Sequence, residues 1–435
     1  MIDALYLISC SLDWKTIDIC AVIRMSHRKK EKQMSLNSTP SGERVHIGFF
    51  GVRNAGKSSL VNAVTNQRIA VVSDVKGTTT DPVKKAMELL PLGPVVIIDT
   101  PGLDDEGELG MQRVMRAKEI LSSVDIAVLV TDVTRGLCAA ESELIAEFKK
   151  RRLPYVVANN KSDLVRDTKQ GTQNSVFVSA KTGEGIEELK NAIGALGGSL
   201  KREKRIVSDL VSKGDTIILV IPIDESAPKG RIILPQQLVL RDALDNGCIA
   251  AACQPEELSA ALSALKSPPA LVITDSQAFG RVAKDVPRDV PLTSFSILMA
   301  RYKGELESLL EGAKSLETLG DGDRVLISEG CTHHRQCGDI GTVKLPAWIE
   351  KCCGTKPEFE FSSGTGFPKE LGAYKLIIHC GACMLNETEM RRRQAEAAAA
   401  GVPMVNYGMA IAQMNGILER SMEIIKKKDS SQNPV

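Results

Sequence analysis

The chain is 435 residues long, and at roughly 150 residues per domain this length predicts about three domains. Hydrophobic residues make up 43% and charged residues 25% of the sequence, which is typical of a soluble globular protein. The net charge of +1 gives no overall sign of nucleic-acid binding, and no apolar run is long enough to cross a bilayer. We therefore expect a cytoplasmic protein that binds neither a membrane nor nucleic acid.

The first 43 residues do not show the pattern of a folded domain. Residues 1–25 are moderately apolar, but acidic residues such as Asp3 and Asp13 interrupt them, and no basic segment precedes them as it would in a secretory signal. We expect residues 1–43 to be a disordered extension. Translation that begins at Met34 is the alternative.

A phosphate-binding loop opens the first domain. The stretch RVHIGFFGVRNAGKSSLVNAV, from Arg44 to Val64, reads as a strand, a glycine-bounded turn and a helix start, which is the context of the G-x4-G-K-S motif. The two glycines let backbone N–H groups point at phosphate oxygens, the lysine adds positive charge, and Ser58 is left to bind magnesium. The nucleotide-binding residues predicted here are Gly51, Asn54, Ala55, Gly56, Lys57, Ser58 and Ser59.

Four further motifs follow in the order found in GTPases. KGTTTD, residues 76–81, fits switch I, and DTPG, residues 99–102, fits switch II at the end of an apolar strand. NNKSD, residues 159–163, supplies Asp163, whose carboxylate can accept both hydrogen bonds of the guanine edge, so the predicted nucleotide is GTP. VSAK, residues 178–181, completes the base pocket. The predicted contacts are Thr79, Asp99, Gly102, Asn160, Lys161, Asp163, Ser179, Ala180 and Lys181, with Ser58, Thr79 and Asp99 on magnesium.

The catalytic pattern departs from that of Ras, because Leu103 stands where Ras-like proteins carry the glutamine that orients the attacking water. The segments GVRNAGKSS, GTTTD and DTPG resemble the TrmE-Era family of GTPases. That resemblance implies that a potassium ion replaces the arginine finger, with Asn54 as one of its ligands. The same resemblance would place Ser73, Val75 and Thr78 in the potassium shell and Thr79 on magnesium.

The remaining pattern of elements predicts an α/β protein. Strands that alternate with helices after the phosphate loop imply a mostly parallel, doubly wound sheet with nucleotide at the carboxyl ends of its strands. GALGGSLKREKR, from Gly194 to Arg205, reads as a linker. Strands at Thr216–Ile221 and Ala270–Thr274, with helical patterns such as Phe295–Leu319, predict a second small α/β domain. This domain has no concentration of metal-binding side chains, so we expect a structural role.

Cysteine and histidine concentrate in the last part of the chain. Six of the 11 cysteines and three of the five histidines follow residue 330. Because a disulfide framework would be expected in a short secreted chain, this distribution indicates a metal site. Cys331 and His333 follow one apolar strand, and His379, Cys380 and Cys383 follow another, with 45 residues between the two groups.

Three chemistries fit these residues. Three thiolates from Cys331, Cys380 and Cys383 suit a 4Fe-4S cluster with one iron left open or held by a weaker ligand, His333 or His379. A closed Cys3His zinc site could use the same residues. A redox pair formed by Cys380 and Cys383 is the third reading, which the additional cysteine and histidines disfavour.

The whole arrangement resembles the HydF family of FeFe-hydrogenase maturation GTPases, from about Met34 to the end of the chain. This resemblance implies an N-terminal GTPase domain (44–198), a dimerisation domain (199–319) and a cluster-binding domain (320–435). It also implies a homodimer that carries a 4Fe-4S cluster on Cys331, Cys380 and Cys383, and a transient diiron precursor that is delivered to apo FeFe-hydrogenase. The precursor is made with two radical-SAM maturases. Other cysteines, Cys337, Cys352 and Cys353, leave the fourth ligand open.

Two other functions are compatible with parts of the sequence. A TrmE-like or Era-like GTPase of tRNA modification or ribosome assembly would share the first domain, but it should carry a basic RNA-binding module, and none is visible. A regulatory GTPase with a structural zinc site would share both motifs.

Overall fold

The structure is a computed structural model. It describes residues 41–66, 83–90, 92–102, 117, 119–165, 174–198, 205–223, 232–330, 339–364 and 366–432. Residues 1–40 of the extension predicted at residues 1–43 lie outside this part of the chain. The last three residues, Ser41–Glu43, form a 3-10 helix in which Gly42 is buried, so the expectation of disorder is wrong for them. None of the described helices is long and apolar enough to cross a membrane.

Strands and helices alternate along the described chain. The strands are β1 Val45–Phe50, β2 Val83–Leu89, β3 Gly93–Asp99, β4 Ile126–Asp132, β5 Tyr155–Asn160, β6 Ser175–Phe177, β7 Thr216–Val220, β8 Ile249–Cys253, β9 Leu271–Thr274, β10 Leu292–Ser294, β11 Arg324–Glu329, β12 Glu358–Ser363, β13 Leu376–His379 and β14 Met404–Asn406. The α-helices are α1 Lys57–Thr65, α2 Ala139–Lys150, α3 Ile186–Gly198, α4 Leu234–Asp245, α5 Leu258–Ala264, α6 Phe279–Asp285, α7 Phe295–Lys303, α8 Leu306–Lys314, α9 Leu345–Cys353, α10 Glu387–Ala399, α11 Tyr407–Met414 and α12 Leu418–Gln432.

The first sheet has the doubly wound topology that the sequence predicts. Its strand order is β2-β3-β1-β4-β5-β6, and every pairing is parallel except the β2–β3 hairpin. The central strands β1 and β4 are apolar along almost their whole length because helices cover both faces of the sheet. The winding direction reverses at β1, so the loops after β1 and β4 diverge there and leave a crevice at the carboxyl ends.

The second and third sheets each contain four parallel strands. The second has the order β10-β9-β7-β8, and the third has the order β12-β11-β13-β14. The central strand β9 is buried throughout, whereas the edge strand β8 is largely accessible. In the third sheet β13 lies between β11 and β14, so the loop that follows it emerges near the middle of the sheet.

The hydrophobic core runs without a break from the second sheet into the third. One cluster of buried side chains includes Ile218 and Val272 of the second sheet and Ile327 and Ile378 of the third. Helix α12 packs against β10. The guanidinium of Arg420, in this helix, donates to the carbonyl oxygens of Ala283, Val286 and Pro287, in and just after α6. The two sheets are therefore joined by packing as well as by the chain at residue 319.

Two helix boundaries differ from the sequence predictions for reasons of packing. The single helix predicted over Phe295–Leu319 is two helices, because the chain is extended at Glu305 and the side chain of Gln394 accepts a hydrogen bond from the Glu305 backbone N–H (2.9 Å). The linker predicted from Gly194 begins later, since α3 continues to Gly198. Gly197 lies within this helix. A Cβ at this position would lie 2.0 Å from the side chain of Leu92, so glycine here allows the helix to pack closely against Leu92.

Candidate functional site

The phosphate loop joins β1 to α1 and contains two glycines with positive φ. Gly51 has a φ of 147°, and a Cβ there would lie 2.2 Å from a carbonyl oxygen of β4. Gly56 has a φ of 88°, and a Cβ there would lie 2.2 Å from Nδ2 of Asn160. Both positions therefore require glycine. The loop leads directly into the N-terminus of α1, where backbone N–H groups are available for phosphate oxygens.

The side chains of this loop divide between its inner and outer surfaces. Lys57 is buried, and its Nζ donates to the carbonyl oxygen of Val52 (3.0 Å). Ala55 is also buried, and Ser59 is half-buried on α1. Asn54 is exposed, with a left-handed φ of 59°. The lysine is thus held inside the loop, and the asparagine is presented outward.

A buried hydroxyl–carboxylate pair lies beside the loop. Oγ of Ser58 donates to Oδ2 of Asp99 at 2.7 Å, and Asp99 is 2% exposed. Burial raises the pKa of Asp99, against the hydrogen bond from Ser58 and the charge of Lys57, which lower it. Its Oδ1 has no hydrogen-bond partner among the described residues. A hydroxyl and a carboxylate with an unsatisfied buried oxygen form a donor set that fits Mg²⁺.

The loop after β5 connects the base pocket to the phosphate loop. Asn160 is buried; its Nδ2 donates to the carbonyl of Ala55 (2.9 Å), and its Oδ1 accepts from the backbone N–H of Ala180 (3.0 Å). Asp163 is exposed, and its Oδ1 accepts from Oγ of the buried Ser179 (2.8 Å). Hydrogen bonds among these residues therefore fix the predicted base pocket, and Asp163 lies at its exposed side.

Asp132 is a residue of this site that the sequence reasoning missed. Its Oδ2 lies 2.5 Å from Nζ of Lys161, whose backbone has a left-handed φ of 66°. Although burial acts to raise it, the hydrogen bonds from Lys161 and Thr134 hold the pKa of Asp132 below its usual value. The signal available in the sequence was a carboxylate at the end of a buried strand, next to the strand that ends at Asn160.

The structure thus brings the described GTPase residues together at one edge of the first sheet. Gly102 also lies there, since a Cβ at this position would lie 3.3 Å from the backbone of Arg53. Lys181, next to Ala180, is exposed. The predicted residues outside the described part of the chain are Ser73, Val75, Thr78, Thr79, Leu103, Cys331 and His333.

A second site forms around the loop that follows β13. Cys380 begins this loop, and its Sγ accepts hydrogen bonds from the backbone N–H of Gly330 (3.0 Å) and of Ala382 (3.4 Å). Gly330 ends the described part of the loop after β11 and directly precedes Cys331 in the sequence. The two strand ends that carry the cysteine motifs are therefore adjacent.

The thiols of this loop are largely enclosed by protein. Burial, with the neighbouring Cys383, raises the pKa of Cys380 to about 11, against the backbone N–H groups that lower it. Burial also raises the pKa of Cys383. A positive φ of 53° at Ala382 turns the chain between the two cysteines. Thiols in such a setting ionise when a metal neutralises their charge, and N–H donors aimed at sulfur suit a metal-bound thiolate.

His379 is fixed by hydrogen bonds at both ring nitrogens. Nδ1 lies 2.9 Å from the carbonyl oxygen of Cys380, and Nε2 lies 3.0 Å from Nη1 of Arg393. Because the guanidinium only donates, Nε2 is the acceptor and Nδ1 carries the proton. Burial and the charge of Arg393 lower the pKa of His379 to about 3, so the ring is neutral. Binding of iron by this ring would require one of the two bonds to break.

The described residues fit part of a cluster site. They contain no group of three cysteine, histidine or carboxylate side chains that could hold a metal ion. Cys380 and Cys383 supply two thiolates, and a third ligand would come from beyond Gly330, where the motif residues Cys331 and His333 follow. The donor set therefore suits a thiolate-bound group whose remaining ligands come from that neighbouring loop.

Three sequence-family matches follow one another along the chain. Residues 46–161 match the 50S ribosome-binding GTPase. Residues 206–304 match the Hydrogen maturase F dimerization domain, and residues 307–424 match the Hydrogen maturase F tetramerization domain. The chain belongs to the hydrogen maturase F family. Its fold is that of a P-loop GTPase domain followed by the two self-association domains of this family, and the Cys380–Cys383 loop lies in the tetramerization domain.

Curated relatives of this hydrogen maturase F family member include tRNA-modification GTPases. MnmE of Nitratidesulfovibrio vulgaris (strain Hildenborough) is 38% identical over 155 residues, which are 34% of this chain and 33% of the relative. MnmE of Laribacter hongkongensis is 35% identical over 159 residues, which are 35% of this chain and 34% of the relative. The chain therefore spans about a third of the length of these relatives.

Solved structures with some likeness are GTP-binding proteins or domains. The G domain of the T. maritima FeoB iron transporter is 24% identical; the match covers 35% of this chain and 98% of that chain, with a TM-score of 0.28. A variant of Era from Aquifex aeolicus, bound to GDP.AlF4-, is 17% identical; the match covers 73% of this chain and 92% of that chain, with a TM-score of 0.31. The family assignment rests on the domain matches alone.

Proposed function

We propose that this protein is a GTP-hydrolysing maturation factor that carries a 4Fe-4S cluster and delivers a diiron precursor to apo FeFe-hydrogenase. One observation carries the proposal. A P-loop GTPase domain precedes the two self-association domains of the hydrogen maturase F family, and the second of these domains contains a buried C-x-x-C loop whose sulfur receives backbone N–H groups. The proposed domains are 44–198, 199–319 and 320–435, and the proposed compartment is the cytoplasm.

The proposed GTPase chemistry uses the residues at the edge of the first sheet. Ser58 and Asp99 would hold Mg²⁺ together with Thr79, and Lys57 would neutralise charge on the transferred phosphoryl group. Asp163 would recognise guanine. We propose that K⁺, bound by Asn54 with Ser73, Val75 and Thr78, supplies the positive charge that an arginine finger provides in other GTPases.

The proposed cluster uses the buried loop of the third domain. Cys331, Cys380 and Cys383 would hold three irons, and the fourth iron would be left to a weaker ligand, with His333 or His379 as the candidates. A cluster with one open iron supplies a coordination site for an incoming diiron unit. The partners proposed are a second copy of this chain, the apo-hydrogenase and two radical-SAM maturases. The self-association domains support the first of these.

The alternative functions receive less support. The MnmE matches cover about a third of this chain, so they bear on the GTPase portion and not on the hydrogen maturase F domains. A zinc site would share the same cysteines, and only metal analysis separates it from a cluster.

Activation of apo FeFe-hydrogenase tests the proposal. The full chain, purified from cells that also make the two radical-SAM maturases, should activate apo-hydrogenase, whereas Cys380→Ala and Cys383→Ala should not. Cys248→Ala is the matched control, because Cys248 is a buried cysteine of the second domain. Activation by the Cys380→Ala protein at the level of the unaltered chain would contradict the proposal.

A further inference from the structure

The side chain of Lys303 ends against the backbone of the cysteine loop. Lys303 is the last residue of α7, and its side chain is only 3% exposed. Its Nζ donates to the carbonyl oxygens of Leu385 (2.6 Å) and Cys383 (3.2 Å). It also lies 3.4 Å from the carbonyl oxygen of Gly42 and 3.0 Å from Oε1 of Glu43. A lysine of the dimerization domain therefore joins the cysteine loop to the short helix Ser41–Glu43, which directly precedes the GTPase domain.

The loop and the GTPase domain are in close contact at this point. A Cβ at Gly42 would lie 2.6 Å from the carbonyl oxygen of Cys383 and 2.8 Å from that of Leu385. Both carbonyl oxygens point into buried space, where an oxygen without a donor costs free energy. Within the described residues, the ammonium of Lys303 is the side-chain donor that both oxygens share. Lys303 therefore holds the C-terminal end of the loop against α7.

Charges of opposite sign face Cys383 in this junction. Nζ of Lys303 lies 3.2 Å from the carbonyl oxygen of Cys383 and 3.0 Å from Oε1 of Glu43, so a positive and a negative charge lie side by side next to this cysteine. The second oxygen of Glu43 is held by the hydroxyl of Tyr302 (2.7 Å). Glu43 therefore keeps a fixed position beside the lysine. A small cavity lined by Lys303, Cys380 and apolar side chains lies on the same side of the loop.

We infer that Lys303 is a positioning residue for the Cys380–Cys383 loop, and that the Lys303–Glu43 pair sets the reduction potential of the group which the loop holds. This inference rests on the proposed function. Reduction adds one negative charge to a cluster, and the charges, hydrogen bonds and solvent exposure around a cluster set its potential. A buried cation beside Cys383 favours the reduced state, and the carboxylate of Glu43 moderates this effect.

Substitution of Lys303 tests the inference on the reconstituted full chain. We expect Lys303→Met to lower the midpoint potential, measured by an EPR-monitored redox titration, and to speed loss of iron to a chelator on the order of tenfold, as loss of an outer-shell partner does. Lys303→Arg should keep the potential near its original value. Arg301→Met is the matched control, since Arg301 lies on the same helix and pairs with Asp209, away from the loop. An unchanged potential and iron-loss rate in Lys303→Met would overturn the inference.

A second variant covers the case in which Lys303→Met fails to fold or to retain iron. Glu43→Gln keeps the shape of the side chain and removes the negative charge, so the potential should rise. A midpoint potential that stays unchanged or falls in Glu43→Gln would overturn the role of the pair. If the two residues acted only on the structure, Lys303→Met and Glu43→Gln would not shift the potential in opposite directions. If the unaltered chain binds no reducible iron–sulfur cluster, the proposed function fails instead, whatever the variants do.

Discussion

Asn54 combines an exposed side chain with a left-handed backbone at the outer turn of the phosphate loop. Asparagine tolerates this conformation better than most residues. The side chain of Asn54 is therefore accessible to solvent at the phosphate loop. The proposed K⁺ site would use this side chain.

The first prediction concerns the monovalent cation. GTP hydrolysis should be slow in sodium and faster in potassium at equal ionic strength, because K⁺ would supply the missing positive charge in the transition state. Asn54→Ala should lose most of the stimulation by potassium. Steady-state turnover in both salts measures this, and equal rates for the unaltered chain would rule out the potassium role.

A second prediction concerns the buried Arg393 in the third domain. This side chain is fully buried, pairs with Glu389 (2.7 Å) and also donates to Gly364 O and to His379. Arg393→Met should destabilise the domain by about 3 kcal/mol, because the carbonyl oxygen of Gly364 and Nε2 of His379 lose this donor, while Glu389 keeps its pairing with Arg392. The exposed Arg391, which pairs with Glu387, is the control, and its loss should cost less than about 1 kcal/mol.

Differential scanning calorimetry of the full chain provides the comparison between these two arginine variants. Arg393→Met should lower the unfolding temperature of the third domain by several degrees, and Arg391→Met should leave it nearly unchanged. Equal shifts would show that the buried network contributes no more than a surface ion pair does.

At the residue scale, the sequence identifies the motif residues but not the side chains that hold them in place. Asp99 and Asn160 belong to short sequence motifs whose spacing indicates nucleotide binding. The structure places both residues at the same edge of the first sheet. Asp132, Lys303 and Arg393 each have at least one partner that is distant in the chain: Lys161 and Gly364 lie 29 positions from Asp132 and Arg393, and Lys303 contacts residues 80 or more positions away. No local pattern reports such contacts, because they depend on how the elements pack.

Strand β8 is the element whose exposure most needs an explanation. It forms an edge of the second sheet, pairs with β7 and leaves Ile249 60% exposed, with Leu244 of α4 52% exposed nearby in the chain. An exposed edge strand with apolar side chains is a template for pairing with another chain. The edge lies in the dimerization domain of the family, so a second copy of this chain is the expected occupant.

The third prediction follows from this edge. Ile249→Lys should shift the full chain toward smaller species in sedimentation velocity, because a charge would be buried in the contact. Leu137→Lys is the control, since Leu137 is similarly exposed (56%) but lies in the GTPase domain. A sedimentation profile unchanged by Ile249→Lys would place the contact elsewhere.

At the element scale, the sequence predicts the positions of strands with mostly apolar residues, but it does not predict where one helix ends and the next begins. The buried strands β1 and β9 are mostly apolar, and their positions follow the sequence predictions closely. The break at Gly304 was missed because the apolar spacing continues through it, and the side chain that caps the break, Gln394, comes from a helix of the third domain.

At the scale of the whole molecule, the GTPase domain contacts the third domain at the end of the first sheet opposite the nucleotide. Nδ2 of Asn386 donates to Oδ1 of Asp125 (3.0 Å), and Oγ1 of Thr388 donates to the same oxygen. Asp125 precedes β4, and Asp132 ends it, so the two ends are separated by about 20 Å at ~3.3 Å per residue. The predicted nucleotide site and the cysteine loop therefore lie toward opposite ends of the first sheet.

The fourth prediction is that the two sites can be inactivated independently. Lys57→Ala should reduce GTP hydrolysis by at least about 100-fold, because one charged donor to the transition state is lost. Its iron content after reconstitution should equal that of the unaltered chain, since Lys57 follows the carboxyl end of β1, whereas the third domain contacts the opposite end of the first sheet at Asp125. Loss of iron in this variant would show that the two sites depend on each other for their structure.

The nature of the group held by Cys380 and Cys383 decides between the proposed maturation factor and a GTPase with a structural zinc site. The most direct measurement is the visible absorption and reduced-state EPR spectrum of the full chain after anaerobic reconstitution with iron and sulfide, together with its metal content. We predict a brown protein with the EPR signal of a reduced 4Fe-4S cluster, which is lost in Cys331→Ala, Cys380→Ala and Cys383→Ala and kept in Cys248→Ala. A colourless protein that binds one zinc ion through the same cysteines would contradict the proposed function.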